Sequence, residues 1–336
     1  MKIIYSNCNG TFLLTDKIEE STLFKKNEAV EKCLQLERGE IIREERELLK
    51  KYPDAVLINK KFSKEVKQLD DIKKTREVLG LFTKKSRDYF DIGILLAKRK
   101  IKNSVSFDNL VINCVGCIGE IEKTINLFSR RLREWYELYN PEFSREIEDN
   151  IKFAEAVTKK TKEESLKEMG LQRENSMGSD LGDDDAKQII MLAQKIVELN
   201  KLKELYEKYA EKIMKKNCKN LQAVAGTLIG ARLIALAGSF KRLSELPAST
   251  IQLLGAEKAF FRHLKTGAKT PKHGIIVQHH LVQNSKNKGK ASRLLADKIS
   301  IASKVDFFGG KFMGDELLRD IQKKLGVDKN GSKSLS

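Results

Sequence analysis

One periodic stretch decides the fold, and it reads Ile118-Gly-Glu-Ile-Glu-Lys-Thr-Ile-Asn-Leu-Phe-Ser-Arg-Arg-Leu-Arg-Glu-Trp-Tyr-Glu-Leu-Tyr139. Its large apolar side chains recur at alternating steps of three and four residues, beginning Ile118, Ile121, Ile125. This heptad spacing is typical of helices that pack along a seam, here roughly 30 Å long at 1.5 Å per residue. The stretch therefore predicts a long helix that packs against a second helix.

A second seamed helix is predicted from about Asp184 to Lys216, after a polar excursion that contains Asn140-Pro141 and Ser176 to Asp185. The two predict a long antiparallel coiled-coil hairpin over residues 118–216, which we expect to be a dimerisation region. Its expected interface residues are Ile121, Ile125, Phe128, Leu132, Trp135, Ile196, Leu199 and Tyr206. Because heptads alone do not fix the oligomeric state, a helix pair within a single chain remains open.

The N-terminal residues predict a small α/β domain over residues 1–75. Two short apolar runs flank Asn9-Gly10, a hairpin turn signal. A helix is expected near Asn27 to Glu37 and a further strand at Asp54 to Ile58. The segment has no Gly-rich phosphate loop and no dinucleotide fingerprint, so a binding module is favoured over an enzyme. Residues 76–117 predict a helical connector.

The positive charge of the chain is concentrated in one block. The formal net charge is +17, and residues 218–312 hold 16 Lys and Arg against 4 Asp and Glu. Residues 1–217, by contrast, hold 43 against 39. Such a concentration is typical of a surface that binds a polyanion, whereas a chain made basic for solubility would spread the charge.

The segment Pro247 to Gly274 predicts a nucleic-acid-binding helix inside this block. Lys258, Arg262 and Lys265 fall on one helical face as a cationic stripe. Leu254, Phe261 and Leu264 are expected to enter the core, which leaves Phe260 to stack on a base. Ser249 and Thr250 either cap a helix or meet a phosphate. A solvated basic face with core phenylalanines is the alternative.

The rest of the basic block predicts helices around one extended segment. Small residues from Ala223 to Gly238 favour close helix packing, and Arg232 among them is interpreted as structural. Ile275 to Val282 predicts an extended core segment or short strand, and Ala291 to Lys304 a helix. Residues 313–336 predict an amphipathic helix followed by a disordered tail.

The residue inventory disfavours catalysis and metal binding. The five cysteines are scattered and odd in number, as in a reducing compartment, and Cys114-Val-Gly-Cys117 lacks a second ligand pair. All four histidines lie in the basic block, but its few acids do not suit a metal-dependent nuclease. We expect no catalytic residues and no metal. No apolar run reaches the roughly 18 residues of a membrane span, and no signal peptide is visible, so an intracellular protein is expected.

The stretch Gly255-Ala-Glu-Lys-Ala-Phe-Phe-Arg-His-Leu264 resembles the signature of the Nop domain. Its flanks Leu246-Pro-Ala-Ser-Thr-Ile-Gln252 and Thr266-Gly-Ala-Lys269 extend the likeness, and Ile125 to Tyr136 resembles the coiled coil of the family. The short tail resembles archaeal members, the core scaffold proteins of box C/D ribonucleoproteins. His280 stands where the family has proline, and Phe260 where leucine is usual.

The resemblance implies a mainly α fold with a small α/β N-terminal domain, a long antiparallel coiled-coil hairpin and an all-helical C-terminal Nop domain at residues 217–312. It implies a non-catalytic scaffold for guide-dependent RNA 2′-O-methylation. The partners would be a box C/D guide RNA with a kink-turn, a kink-turn-binding ribosomal-type protein, a second copy of the chain, and a fibrillarin-type methyltransferase docked at residues 1–75. The chain itself would need no cofactor, since that enzyme uses S-adenosylmethionine.

The residues expected to bind RNA are Ser249, Thr250, Gln252, Lys258, Phe260, Arg262, His263, Lys265, Lys269, Lys272, His273, Gln278 and Arg293. Two alternatives stay open, a spliceosomal-type Nop-domain protein and an autonomous RNA-processing enzyme. The archaeal resemblance implies a cytoplasmic protein, and a eukaryotic member would be nucleolar.

Overall fold

A computed structural model describes residues 1–58, 66–69, 71–82 and 87–326. The chain forms two compact units, Met1–Val105 and Ser106–Ser336. The finer divisions predicted after residues 75, 117, 216 and 312 stay predictions. The predicted disordered tail beyond residue 326 lies outside the described residues.

The first unit contains a four-stranded sheet, in which the predicted hairpin and the predicted further strand are accompanied by the strand Ile18–Leu23, which was not predicted. Its strands are β1 (Ile3–Ser6), β2 (Gly10–Leu14), β3 (Ile18–Leu23) and β4 (Val56–Leu57), in the order β3-β2-β1-β4. β1 pairs antiparallel with β2, with Ile3 opposite Leu14, and parallel with β4. The helices are α1 (Lys26–Glu37), α2 (Arg43–Lys51), α3 (Ile72–Gly80) and α4 (Arg87–Ser104).

Both faces of this sheet bury apolar side chains, because successive residues of a strand point to opposite faces. Ile4 and Leu13 pack with Leu48 of α2 on one face. Phe12 and Leu14 pack with Val78 of α3 on the other. The sheet is thereby the core of the unit.

In the described residues of the second unit, all regular secondary structure is helical. Its helices are α5 (Phe107–Tyr136), α6 (Pro141–Glu146), α7 (Asn150–Lys159), α8 (Lys162–Glu168), α9 (Asp183–Asn217), α10 (Lys219–Ala225), α11 (Thr227–Ala237), α12 (Phe240–Glu245), α13 (Ala248–Leu253), α14 (Glu257–Thr266), α15 (His280–Gln283), α16 (Lys288–Phe307) and α17 (Gly314–Leu325). Short 3₁₀ helices lie at Arg173–Asn175 and Ile275–Gln278.

The predicted seam joins α5 to α9 within the chain. The Cys114 thiol contacts the Tyr206 carbonyl at 3.2 Å near one end. Ile125 and Leu132 cluster with Ile196 near the other end, so the helices run antiparallel. Except for Trp135, which is 37% exposed, the residues predicted to dimerise are buried or half-buried in this pairing or in the adjoining α7 contacts. The mainly helical architecture predicted from the sequence is confirmed.

Arg133 fixes the excursion between α5 and α9. Its guanidinium lies 4.5 Å from the centre of the Phe153 ring. It donates to the carbonyls of Ser144 (2.7 Å), Ile147 (2.7 Å) and Glu148 (2.9 Å) and to the Asn150 amide oxygen (2.8 Å). One side chain therefore supplies hydrogen-bond donors to the backbone carbonyls at the end of α6 and in the turn into α7.

The main core of the second unit lies where α10 to α13 and α15 to α17 meet α5 and α9. Close packing predicted for the small residues is present at Gly230, where an added Cβ would lie 3.0 Å from the Met214 side chain. The extended segment predicted at 275–282 is wrong, since a 3₁₀ turn and α15 occupy it. Ile276 and Val282 are nevertheless buried. A short apolar run specifies burial but not helix or strand.

No single helix among the described residues is long and apolar enough to cross a membrane. Helices α10 and α11 meet that test only when taken as a pair, and they are bent by 112° where they join.

His279 is buried in this core and should make stability depend on pH. Its Nδ1 accepts a 3.3 Å hydrogen bond from the Leu281 amide, and its ring also hydrogen-bonds the Val224 backbone. Burial lowers the pKa of His279 to about 4. In the unfolded chain the His279 imidazole has its usual pKa of ~6.5. Between that pH and about 4, the imidazole is therefore protonated in the unfolded chain but neutral in the folded chain. Stability should therefore fall as pH drops from about 6.5 to 4, by at most about 3 kcal/mol.

Thermal melts across this pH range measure the effect. The variant His279→Gln should lose most of the pH dependence that this residue contributes, although it melts lower at neutral pH. The exposed His280, whose ring centre lies 4.3 Å from that of His279, also lowers this pKa through its charge. The variant His280→Gln should therefore reduce the pH dependence only in part. Parallel pH profiles for wild type and His279→Gln would contradict the assignment.

Candidate nucleic-acid interface

The predicted interface helix lies at the surface, on a sharp turn between α13 and α14. Gly255 makes this turn with φ of +87°, a conformation that L side chains rarely adopt. The Glu257 carboxylate accepts a 2.8 Å hydrogen bond from the Gly255 amide. Helix α14 ends at Gly267, whose φ is +67°. Glycines thus set both ends of the helix.

The segment that follows α14 returns to α13 and is fastened there. The Gly274 amide donates to the Gln252 carbonyl at 2.7 Å, and the Ile275 amide donates to the Leu254 carbonyl at 2.8 Å. A Cβ on Gly274 would lie 1.9 Å from the Leu254 carbonyl oxygen. The Gln252 side chain adds a 2.7 Å bond to the Lys272 carbonyl. Residues 267–274 therefore form a held loop.

His263 fixes the near end of this loop. Its Nδ1 contacts the Ala268 carbonyl, and its Nε2 lies 3.3 Å from the Thr270 hydroxyl. Both ring nitrogens are thus engaged within the chain. His263, predicted to bind RNA, has a visible positioning role, and its half-buried ring leaves only part of its surface for a ligand.

The loop encloses an open hollow of about 750 Å³ against α13 and the start of α16. Six residues predicted to bind RNA line it: Ser249, Gln252, His263, Lys269, Lys272 and Arg293. They come from separate elements of the chain. The hollow thus places three cations beside hydroxyl and amide groups, which suits the phosphates and sugars of a nucleic acid.

The cationic stripe predicted on α14 is present as an exposed helix face. Lys258, Arg262 and Lys265 are all exposed, and none has an ion-pair partner among the residues that the structure describes. The two acids closest in sequence are Glu245 and Glu257, and Glu257 is occupied by the Gly255 amide. The positive charge of α14 is therefore available to a partner.

The apolar side of α14 differs from the prediction. Phe261 and Leu264 were expected in the core but are 60% and 63% exposed, so that prediction is wrong. Phe260 is 38% exposed, with its ring centre 6.5 Å from that of His263. No residue of α14 is buried. The helix lies on the surface and is attached through the turn, the loop and the half-buried His263. Its cationic stripe and the side chains of Phe261 and Leu264 are therefore exposed.

The other predicted residues are more dispersed. Pro247 occupies the N-cap of α13 without a side-chain cap, so Ser249 and Thr250 lie inside the helix and the capping alternative is wrong. Thr250 is exposed, and His273 is half-buried within the held loop. Gln278 accepts a 3.1 Å bond from Arg232, which is also paired with Glu122 of α5 at 3.3 Å. Arg232 thus has the predicted structural role.

Sequence reasoning missed the apolar part of this surface and the loop's own contribution. Phe261 and Leu264 carried no signal for exposure, because their spacing equally suits a core face. Thr270 lines the hollow and contacts the His263 ring, and no local sequence pattern predicts this contact. In the described ranges, no group of three His, Cys, Asp or Glu side chains could hold a metal ion.

Comparison with known proteins gives consistent matches. A family model described as "Nop: snoRNA binding domain, fibrillarin" matches residues 117–326. A NOP5 family protein of Methanocaldococcus jannaschii is 40% identical over 248 residues, which are 68% of this chain and 59% of that protein. Nucleolar protein 56 of Schizosaccharomyces pombe is 35% identical over 264 residues, which are 71% of this chain and 53% of that protein.

The chain therefore spans little more than half the length of these relatives. Among solved structures, the crystal structure of a fibrillarin/Nop5p complex matches with a TM-score of 0.42 and 20% identity. That match covers 96% of this chain and 98% of the other.

Proposed function

The chain belongs to the Nop family, and from this premise we propose that it is a non-catalytic RNA-binding scaffold of a box C/D ribonucleoprotein. It binds kink-turn RNA together with a ribosomal-type protein through the second unit. Its first unit, near residues 1–75, receives a fibrillarin-type methyltransferase, which uses S-adenosylmethionine. The scaffold thereby holds the enzyme near one 2′-hydroxyl and raises its effective concentration there.

The surface formed by α14 and the neighbouring hollow is the observation that carries this proposal. Unpaired cations lie on one side of α14, and six polar or charged side chains predicted to bind RNA gather in the hollow. Phosphate contacts from such cations supply affinity and position without reading sequence. The surface therefore suits RNA recognised by shape.

The exposed apolar side of α14 supports a second binding partner at the same place. Phe261 and Leu264 are large, exposed and adjacent on the helix. The buried core of a protein interface is more apolar than the rest of the surface and is enriched in aromatic side chains. A ribosomal-type protein bound to the kink-turn would cover them, while the cations of α14 follow the RNA.

Reconstitution tests the division of labour. Methyl transfer to a target RNA should require the enzyme, kink-turn protein, guide RNA and S-adenosylmethionine together with this chain. The chain alone should transfer nothing. Removal of residues 1–105, the whole first unit, should abolish methyl transfer while RNA assembly persists. Methyl transfer by the pure chain with cofactor and RNA would overturn the proposal, as would loss of RNA binding in the folded truncation.

A homodimer through the coiled coil is part of the proposal, but the contact needs a face that the chain itself leaves open. Ile125, Leu132 and Ile196 are already buried where α5 packs against α9, so they are not accessible to a second chain. Leu202, Leu205 and Tyr209 follow the heptad steps on α9 and are 41%, 61% and 43% exposed. We assign the dimer contact to this second stripe, since burying it would remove apolar surface from water.

Light scattering with two matched variants distinguishes the faces. Leu202→Glu combined with Leu205→Glu should halve the mass with almost no change in melting temperature, because both side chains are exposed. Ile125→Glu should instead lower the melting temperature strongly, since it places a charge in the core. A monomeric wild type, or a dimer unaffected by the double variant, would contradict the assignment.

A further inference from the structure

The turn between α16 and α17 carries an aromatic and cationic surface at the opposite end of α16 from the hollow. Arg293 and Phe307 are fourteen positions apart on α16, which is roughly 20 Å along the helix. The turn reads Val305-Asp-Phe-Phe-Gly-Gly-Lys-Phe-Met313. Phe308 and Phe312 are 78% and 53% exposed. We infer that this surface, defined by Lys219, Lys304, Phe308, Lys311 and Phe312, is a second contact site for single-stranded RNA.

The turn is held rigidly, so its exposed side chains are presented in place. The Asp306 carboxylate accepts bonds from the Asn220 amide at 3.1 Å and the Leu221 amide at 2.8 Å. The Asn220 side chain accepts a 2.6 Å bond from the Met313 amide and donates to the Lys311 carbonyl at 3.4 Å. Both ends of the turn are thereby tied to the start of α10.

Phe308 stands at the end of a row of rings that begins in the core. Phe240 is buried, and its ring centre lies 6.0 Å from that of Phe307. Phe307 in turn meets Phe308 edge-on at 5.2 Å and 84°. This support holds the Phe308 ring while leaving its surface open. A fixed, exposed ring is the element on which an unpaired base stacks.

The charges around the ring favour a polyanion over an apolar protein. Lys304 lies one turn before Phe308, Lys311 lies three residues after it, and Lys219 adjoins Asn220. None of the three forms an ion pair within the described part of the chain. The Asp306 carboxylate is engaged by backbone amides, and the exposed Asp315 and Glu316 lie beyond Phe312 in the first turn of α17. Cations beside an exposed ring are the combination that binds single strands without sequence preference.

Fluorescence anisotropy of the full chain with a labelled oligouridine of about 12 nucleotides tests the inference. Phe308→Ala should weaken binding by roughly 5- to 150-fold with little change in salt dependence. Phe308→Trp should retain affinity because it retains a stacking surface, whereas Phe308→Leu should lose it. Lys311→Ala should reduce the salt slope by about 0.7. Phe90→Ala, at a ring 71% exposed in the first unit, provides the control and should bind like wild type.

Absent binding by the wild type, or unchanged affinity in Phe308→Ala, would overturn the inference. Full binding by Phe308→Leu would do the same, and would point to an apolar protein partner. If oligouridine binding depends on the α14 cations and not on Phe308, this inference fails while the proposed kink-turn site stands. Melting curves check that each variant is folded. Because the Phe308 side chain is exposed, its replacement should leave the melting temperature nearly unchanged.

Discussion

Replacing Gly274 by alanine is expected to lower the free energy of unfolding by about 3 kcal/mol and to weaken RNA binding with it. The added Cβ would lie 1.9 Å from the Leu254 carbonyl oxygen and 2.7 Å from the Leu253 carbonyl carbon. Both are backbone atoms, so no side-chain rotation relieves the clash. The loop must separate from α13, and Lys269 and Lys272 then leave the hollow. For a unit of this size the melting temperature should fall by roughly 6 to 12 °C.

Gly267 provides the matched control at the other end of the same loop. Its φ is +67°, but nothing lies within 4 Å of the position that a Cβ would occupy. Gly267→Ala should therefore cost only the backbone strain, roughly 1 kcal/mol. Thermal melts and RNA titrations of the two variants distinguish a steric clash with the backbone of α13, expected for Gly274→Ala, from the strain of a positive φ, expected for Gly267→Ala. Equal losses in both would contradict the account of how the loop is held.

The long helices could be predicted from the sequence because their signal is periodic and long. The prediction placed the second helix from Asp184 to Lys216, and α9 runs Asp183–Asn217. The steps from Ile118 to Tyr139 identified which face is apolar. They could not say what covers it, since a partner helix from the same chain and one from another present the same chemistry. That choice depends on contacts distant in sequence.

The surface around α14 was predictable in its charges but not in its shape. Lys258, Arg262 and Lys265 share a face by helical geometry alone. The prediction for Phe261 and Leu264 was wrong because amphipathic spacing normally indicates a face that packs into a core. Helix α14 is instead held mainly by the turn before it and the loop after it, and no residue of the helix is buried. The hollow is lined by Gln252 of α13, Lys272 of the held loop and Arg293 of α16. These three segments are distant in sequence, so no local pattern predicts that they lie together.

The central claim is that the cations of α14 lie along RNA phosphates. The triple variant Lys258→Ala, Arg262→Ala and Lys265→Ala should reduce the slope of log affinity against log salt by about 2 to 3. If the lines converge near 1 M salt, binding at about 0.1 M should weaken by several hundred-fold. The melting temperature should hardly change, because all three side chains are exposed.

A charge-matched control comes from the same unit. The control replaces Lys159, Lys187 and Lys195 by alanine. These lysines are exposed and form ion pairs with neighbours on their own helices. The control variant therefore loses the same number of positive charges, but at positions outside the proposed RNA surface. That variant should keep the wild-type slope. The comparison therefore separates contact with phosphates from a general loss of positive charge.

The deciding measurement is a salt titration of binding to a kink-turn RNA that carries its ribosomal-type protein, performed on wild type, the α14 triple variant and the control triple variant. The account predicts a flattened slope and weakened binding for the α14 variant alone. Wild-type affinity and slope in the folded α14 variant would contradict it and remove this helix from the RNA surface.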